Sequence, residues 1–288
     1  MHPALEEAEP MKIFIDSARL DEIKASYSFG VADGVTTNPS LLKKAVEKLQ
    51  DEGTNITIEK YLKQILLTAK GTPVSLEVTE IEHKQMLQQA KQLFKLFNPV
   101  ANNVYIKIPV NPSFDQGDGR DFDGIKTIKE LSKVNIPVNC TLVFTPEQAL
   151  LAAKAGAAFV SPFAGRIDDY IRSQNKITFD KADYFPMDGW YENETVYHDN
   201  GIVSGIDLVE QIVDIFYTYD LSTEVLAASI RNVRQAREAA LVGAHIATLP
   251  FDVIRELLSH HKSREGMKKF TADIVPEYAE LTHLTKKA

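Results

Sequence analysis

A chain of 288 residues with 44% hydrophobic and 25% charged residues is long enough to bury its own core, as two average domains or as one α/β barrel with additions. Its formal net charge of −8 speaks against a nucleic acid or an anionic membrane as main partner, since both demand a basic face. The single cysteine, Cys140, excludes an intramolecular disulfide framework and a cysteine zinc cluster, and it fits a reducing cytosol.

Residues 1–10, with Glu6, Glu7 and Glu9, read as an acidic N-terminal extension without the basic and apolar regions of a secretory signal. With no apolar run of about 18 residues to span a bilayer, the expectation is a cytoplasmic protein. The first strand is predicted over 12–16 and a helix over 19–27. A second strand over 34–37 leads to a helix over 39–50, opened by Asn38 as cap and Pro39 at its first position. An extra helix covers 57–69, and 74–78 is the third strand. Thr79 and Glu82 are spaced as a capping box before a helix whose buried face is Met86, Leu87, Ala90, Leu93, Phe94 and Phe97. The fourth strand is predicted over 104–108 with a helix over 124–134, and the fifth over 137–143 with a helix capped by Thr145 and Gln148. After a sixth strand over 157–161 comes a long excursion, then a helix with Ile202, Ile206, Val209, Val213 and Phe216 on one face. Strands over 224–228 and 244–248, each with a helix behind it, complete the alternation, and an amphipathic helix over 263–281 closes the chain.

This alternation predicts a closed (β/α)8 TIM barrel with extra helices and a C-terminal helix; a doubly wound open sheet is the alternative. In such barrels chemistry sits at the C-terminal ends of the strands. There the chain places Asp16, Thr36, Asn38, Glu77, Lys107, Asn139, Thr141, Ser161, Ser229 and Arg231. Lys107 lies in an apolar run, and lysine is rarely buried unless paired. It either snorkels to solvent or pairs with a carboxylate as a strand-end lysine, or it is a desolvated, nucleophilic Schiff-base amine. Asp16 and Glu77 on neighbouring strands favour the second reading, because condensation with a carbonyl needs proton shuttles. Asp16 and Asn38 have a simpler alternative as helix caps.

Arg166 and Arg231 follow the sixth and seventh strands, where barrels often bind phosphate, and their fork geometry suits phosphate oxygens. Alternatively they are surface arginines on a first helical turn. Other signals fail. The glycines at 117, 119 and 124 lack dinucleotide spacing, an EF-hand register over 119–130 has glycine at its first ligand, and His260-His261 lacks metal-ligand spacing. The sequon at Asn139 lies in a core strand.

Seven motifs, Phe14-Ile-Asp-Ser17, Gly34-Val-Thr-Thr-Asn-Pro-Ser40, Val74-Ser-Leu-Glu-Val78, Ile106-Lys-Ile-Pro109, Asn139-Cys-Thr-Leu142, Ser161-Pro-Phe-Ala-Gly-Arg-Ile167 and Ala228-Ser-Ile-Arg-Asn232, together resemble the transaldolase family, which includes fructose-6-phosphate aldolases. The resemblance implies that Lys107 forms a Schiff base with the ketose of a sugar phosphate. It makes Asp16 the group that takes and returns the C4 hydroxyl proton, and Glu77 and Thr141 the holders of a proton-relaying water. Asn38 and Asn139 would bind donor hydroxyls, Thr36 and Ser161 would line the pocket, and Arg166, Ser229 and Arg231 would hold the phosphate. No metal or organic cofactor is implied. Glu77 and Phe163 match the transferase branch, whereas the aldolase branch tends to carry Gln and Tyr at these places. The expected activity is transaldolase, in the pentose phosphate pathway. A dihydroxyacetone-releasing aldolase and a catalytically silent sugar-phosphate-binding barrel are the alternatives. The stretch 173–201, rich in aromatic and acidic residues, is longer than the resemblance leads one to expect. It is read as an inserted loop: a surface elaboration, an active-site cover, or a contact in a homo-oligomer.

Overall fold

The computed structural model describes residues 9–275, 278 and 281, apart from 52, 55 and 116. Most of the expected extension at 1–10, and positions 276, 277, 279 and 280 of the expected closing helix, lie outside the described residues. Contacts divide the chain into two compact units, Met1–Ile254 and Arg255–Ala288. Among the described residues no helix is long and apolar enough to cross a membrane.

The first unit runs β1 (Lys12–Asp16), α1 (Leu20–Ser28), β2 (Gly34–Thr36), α2 (Pro39–Asp51), α3 (Ile58–Thr68), β3 (Val74–Glu77), α4 (His83–Ala101), β4 (Val104–Pro109) and α5 (Asp123–Ser132). It continues with β5 (Val138–Val143), α6 (Pro146–Ala155), β6 (Phe159–Pro162) and α7 (Ala164–Gln174). A small hairpin of β7 (Tyr191–Glu192) and β8 (Thr195–Val196) precedes α8 (Gly205–Thr218), β9 (Glu224–Ala227), α9 (Val233–Leu241), β10 (Ile246–Leu249) and the start of α10 (Phe251–Glu256), whose last two residues fall in the second unit. Strands β1–β6, β9 and β10 pair in parallel and close on themselves, β10 joining β1, so the open-sheet alternative is set aside. The second unit contains α11 (His261–Ala272). The His260 Nδ1 accepts the Lys262 amide at 3.1 Å, which accounts for one of the paired histidines.

Two cores follow from the twofold alternation of strand side chains. Outward residues such as Ile15, Val35, Leu76, Ile106, Cys140, Val160 and Ala247 pack under the buried helix faces, among them Ile65, Met86, Ile128 and Ile212. Inward residues Phe14, Phe159, Leu226 and Ile246 fill the lower barrel, with Tyr105 stacked on Phe159 at 4.7 Å. Gly34 makes room for that filling, since a Cβ there would lie 2.6 Å from the Phe14 ring. Two residues further along several of the same strands stand Asp16, Thr36, Lys107, Ser161 and Thr248. Apolar layer below, polar layer above: the strand period delivers the site.

Three expectations are corrected. Thr79 and Glu82 form no capping box: Glu82 is itself the residue before α4 and makes no side-chain cap, while the Thr79 hydroxyl is bound by Gln89 at 2.9 Å. The His83 amide that opens α4 instead donates to Asp123 Oδ2 at 3.0 Å. The excursion after the sixth strand begins as the regular helix α7, so the inserted segment starts near 175 and carries the β7–β8 hairpin. Ile202 is buried but precedes α8, which Ser204 caps by accepting the Asp207 amide at 3.0 Å. By contrast the capping box of Thr145 and Gln148 forms in full, and Asn38 Oδ1 accepts the Leu41 amide at 3.0 Å.

Candidate active site

At the C-terminal end of the barrel lies a cavity of about 660 Å³. Ten of the twelve residues singled out by sequence line it: Asp16, Thr36, Asn38, Glu77, Lys107, Ser161, Phe163, Arg166, Ser229 and Arg231. Asn139 and Thr141 do not. Asn139 is fully buried, donating to Ser75 Oγ at 3.0 Å and accepting from Ser161 Oγ at 2.6 Å. Thr141 is equally buried, and its hydroxyl makes no hydrogen bond among the described residues.

Strand register sets the neighbours. Glu77 stands opposite Lys107, and Lys107 opposite Asn139. The Lys107 side chain is buried, its Nζ 3.3 Å from Glu77 Oε2, 3.5 Å from the Thr37 carbonyl and 5.9 Å from the Phe163 ring centre. Lys107 therefore does not snorkel to the outer surface: it borders the cavity and pairs with the Glu77 carboxylate, as the simpler reading of a paired strand-end lysine also has it. Asp16 caps no helix, because α1 begins at Leu20 after Arg19. Its carboxylate accepts the Thr36 hydroxyl at 2.9 Å, and that hydroxyl is 2.5 Å from the Thr248 hydroxyl. Burial pushes the Asp16 carboxyl above its ordinary value, against the lowering effects of the Lys107 charge and the Thr36 hydrogen bond.

The two arginines differ. Arg166 is exposed on the first turn of α7, its guanidinium 4.9 Å from the Phe163 ring centre. Arg231 is largely buried: Nη2 donates to Asp169 Oδ2 at 2.8 Å, Nε to the Ser229 carbonyl at 3.0 Å, and Nη1 has no hydrogen bond among the described residues. Gly165 permits this close approach. A Cβ there would collide with the Ser229 carbonyl oxygen and lie 2.6 Å from Arg231 Nε. Ser229 itself takes a left-handed backbone, φ +61, as does Leu142 at the β5 irregularity, φ +58. Both border the cavity, where such strained positions concentrate.

Beneath Arg231 sits a residue the sequence did not single out. Asp168, 2% exposed, accepts the Gly205 amide at 2.7 Å and the Gln235 side chain at 2.5 Å, while Gln235 Oε1 holds the Arg231 amide at 2.8 Å. Burial pushes its carboxyl up to about 7, outweighing those hydrogen bonds and the nearby Arg172. Below pH 4 the carboxyl is protonated folded or unfolded. Between pH 4 and 7 only the folded state keeps the proton, so this group's stabilisation is lost as pH rises through that window. Asp168→Asn will therefore grow more favourable relative to the parent from pH 4.5 to 7.5, by a few kcal/mol at ~1.4 kcal/mol per pH unit. Urea unfolding at several pH values measures it; a difference independent of pH would contradict it.

Thr248, Leu142, Lys181 and Asp252 also line the cavity and were not anticipated. Thr248 shares the strand-end position that flagged the others, two residues past inward Ile246. The lone Cys140 faces the helices, as its alternation with Asn139 and Thr141 requires, and burial raises its thiol far above the ordinary range.

A family model described as Transaldolase/Fructose-6-phosphate aldolase matches residues 13–287. A probable transaldolase of Desulfatibacillum aliphaticivorans is 40% identical over 263 residues, covering 91% of this chain and 97% of that protein. Another, of Chlorobaculum parvum, is 41% identical over 263 residues with the same shares covered, and one of Thermodesulfovibrio yellowstonii is 40% identical over 263 residues, again 91% and 97%. With its eight-stranded parallel barrel and a family match spanning nearly all of it, the chain belongs to the transaldolase/fructose-6-phosphate aldolase family.

Proposed function

We propose that the protein is a transaldolase, moving a dihydroxyacetone unit between sugar phosphates through a Schiff base on Lys107. The observation that carries this reading is the buried Lys107 ammonium, 3.3 Å from Glu77 and sharing one cavity with Asp16. The amine adds to the C2 carbonyl of a ketose phosphate, and loss of water leaves an iminium. Glu77 is the proton shuttle for that dehydration, through a water shared with the hydroxyl of Thr141, a residue outside the cavity lining whose hydroxyl makes no hydrogen bond among the described residues. Asp16 takes the C4 hydroxyl proton while the C3–C4 bond breaks; its electron pair flows into the iminium, and the shortened aldose leaves. The enamine then attacks the carbonyl carbon of an acceptor aldehyde, Asp16 returns its proton to the new alkoxide, and water hydrolyses the imine. Arg166, Ser229 and Arg231 hold the phosphate, and Asn38 a donor hydroxyl.

Phe163 favours transfer over release. Standing 5.9 Å from Lys107 with no hydroxyl, it offers the enamine no proton and no anchor for a water. This supports the transferase reading over a dihydroxyacetone-releasing aldolase.

Incubation with fructose 6-phosphate and borohydride is expected to fix a three-carbon adduct on Lys107, found by peptide mass analysis. Addition of erythrose 4-phosphate is expected to give sedoheptulose 7-phosphate and glyceraldehyde 3-phosphate. Accumulation of free dihydroxyacetone instead would identify an aldolase, and the absence of any adduct would leave a binding barrel without this chemistry.

A further inference from the structure

We infer that Lys181, on the segment inserted between α7 and α8, is a specificity-determining residue: the third cation of the oxyanion site that contains Arg166 and Arg231. This rests on the proposed reading that the cavity takes sugar phosphates.

The inserted segment is tied down on both sides of Lys181. Asn232, next in the chain to Arg231, donates to the Ala182 carbonyl at 3.2 Å. Arg172, only 3% exposed, lies between the rings of Phe179 and Phe185, at 4.9 and 5.0 Å, and donates to the Asp183 carbonyl at 2.9 Å. The Tyr184 hydroxyl binds Glu238 at 2.7 Å, and Arg234 covers the Tyr184 ring at 4.4 Å. These ties reach the loop before α9 and α9 itself, the elements that carry and follow Arg231. Lys181 thereby borders the cavity that Arg166, Ser229 and Arg231 line. Its ammonium makes no hydrogen bond or ion pair among the described residues.

Charge explains why a third cation is needed. A sugar phosphate brings a charge of about −1.5 to −2 at pH 7. Arg166 and Arg231 supply two positive charges, but Asp169 neutralises much of one from 2.8 Å. Lys181 restores the deficit. Lysine suits that position because it is a point charge on a flexible stem. It can follow a phosphate whose distance from Lys107 changes with the length of the sugar, while the Arg231 fork is fixed by Ser229 and Asp169. An exposed ammonium is screened, so the gain is modest and depends on salt.

The test is a titration of the full-length protein with inorganic phosphate, by calorimetry, at low and high ionic strength. Lys181→Ala is expected to weaken phosphate binding about fivefold at low salt, with the difference shrinking at high salt. Lys181→Arg should recover most of it, and Lys181→Glu should weaken it further. In the transfer assay Lys181→Ala should raise KM for fructose 6-phosphate by the same factor, in KM rather than kcat, without raising KM for unphosphorylated fructose. Equal phosphate affinity in the parent and Lys181→Ala would overturn the inference. So would an equal KM rise for both sugars, which would mean a displaced segment. If the parent protein transfers nothing, the transaldolase reading falls, while the phosphate titration still decides for or against Lys181.

Discussion

Lys107→Ala will lower dihydroxyacetone transfer by about 10⁶-fold, the scale of loss when a covalent nucleophile is removed, while leaving the barrel folded. The reason lies in what surrounds the amine. A buried lysine is expensive to desolvate, and this one recovers only an ion pair with Glu77 at 3.3 Å, a long hydrogen bond to Thr37 and the face of Phe163. Its side chain lines the open cavity and is not part of the apolar layer of Phe14, Phe159, Leu226 and Ile246. Truncation thus enlarges an existing opening rather than creating a dry void. Glu77 loses its cation but keeps 16% of its side chain exposed to the cavity, so it can be hydrated. The expected result is an unchanged circular dichroism spectrum, a melting temperature within a few degrees of the parent, and no borohydride adduct with fructose 6-phosphate. Lys107→Met, which keeps the stem, should be equally inactive. Retention of more than about 1% of the activity, or an adduct on a different lysine, would remove Lys107 from the chemistry.

How far the sequence alone leads to this site depends on the period of each signal. Within a strand the period is two, and it is local. Phe14 then Asp16, Tyr105 then Lys107, and Phe159 then Ser161 announce a polar layer above an apolar one without reference to any other strand. Thr248 obeys the same rule after Ile246, so it was legible too. Contacts made across the barrel were not. Arg231 reads as a free phosphate ligand in the sequence, but Asp169, 62 residues away, shares its guanidinium. Asn139 reads as a ligand for donor hydroxyls, yet its amide is already engaged by Ser75 and Ser161. Local helix signals succeeded where the reciprocal side chains could fold back, as at Thr145 and Gln148. They failed at Thr79 and Glu82, where Gln89 takes the Thr79 amide that Glu82 would have capped, and the helix opens instead at His83, whose amide donates to Asp123. The inserted segment had only composition to go on. Its aromatics separate into buried Phe185 and exposed Trp190 and Tyr191, a division set by tertiary packing around Arg172.

Asp16→Asn will separate the two halves of the proposed reaction. Loss of a positioned general base typically lowers turnover by 10²–10⁴-fold, and that range is expected for C3–C4 cleavage and for its reverse. In the proposed reaction Schiff-base formation uses Lys107 and Glu77, so borohydride should still trap the intact hexose on Lys107. In the parent the trapped species is expected to be the three-carbon unit; a shift from the shorter to the longer adduct would be direct evidence that Asp16 acts after the imine. Acidity adds a second readout. Asp16 must be ionised to take a proton, and burial holds its carboxyl above the ordinary carboxylate value despite Lys107 and Thr36. As pH falls, activity should therefore begin to drop at a higher pH than an ordinary aspartate would give, and the residual activity of Asp16→Asn should lack that acid limb. The same shift sets the sign for stability: a folded-state value above the unfolded one favours the protonated protein, and that contribution is lost as pH rises through the folded value. An ionised Asp16 is thus held in place at the expense of stability, and Asp16→Asn should melt higher than the parent at pH above the folded value, with the gap closing in acid. An Asp16→Asn protein that melts lower at pH above the folded value and traps no hexose would make Asp16 a structural member of the Thr36–Thr248 cluster, not the proton carrier.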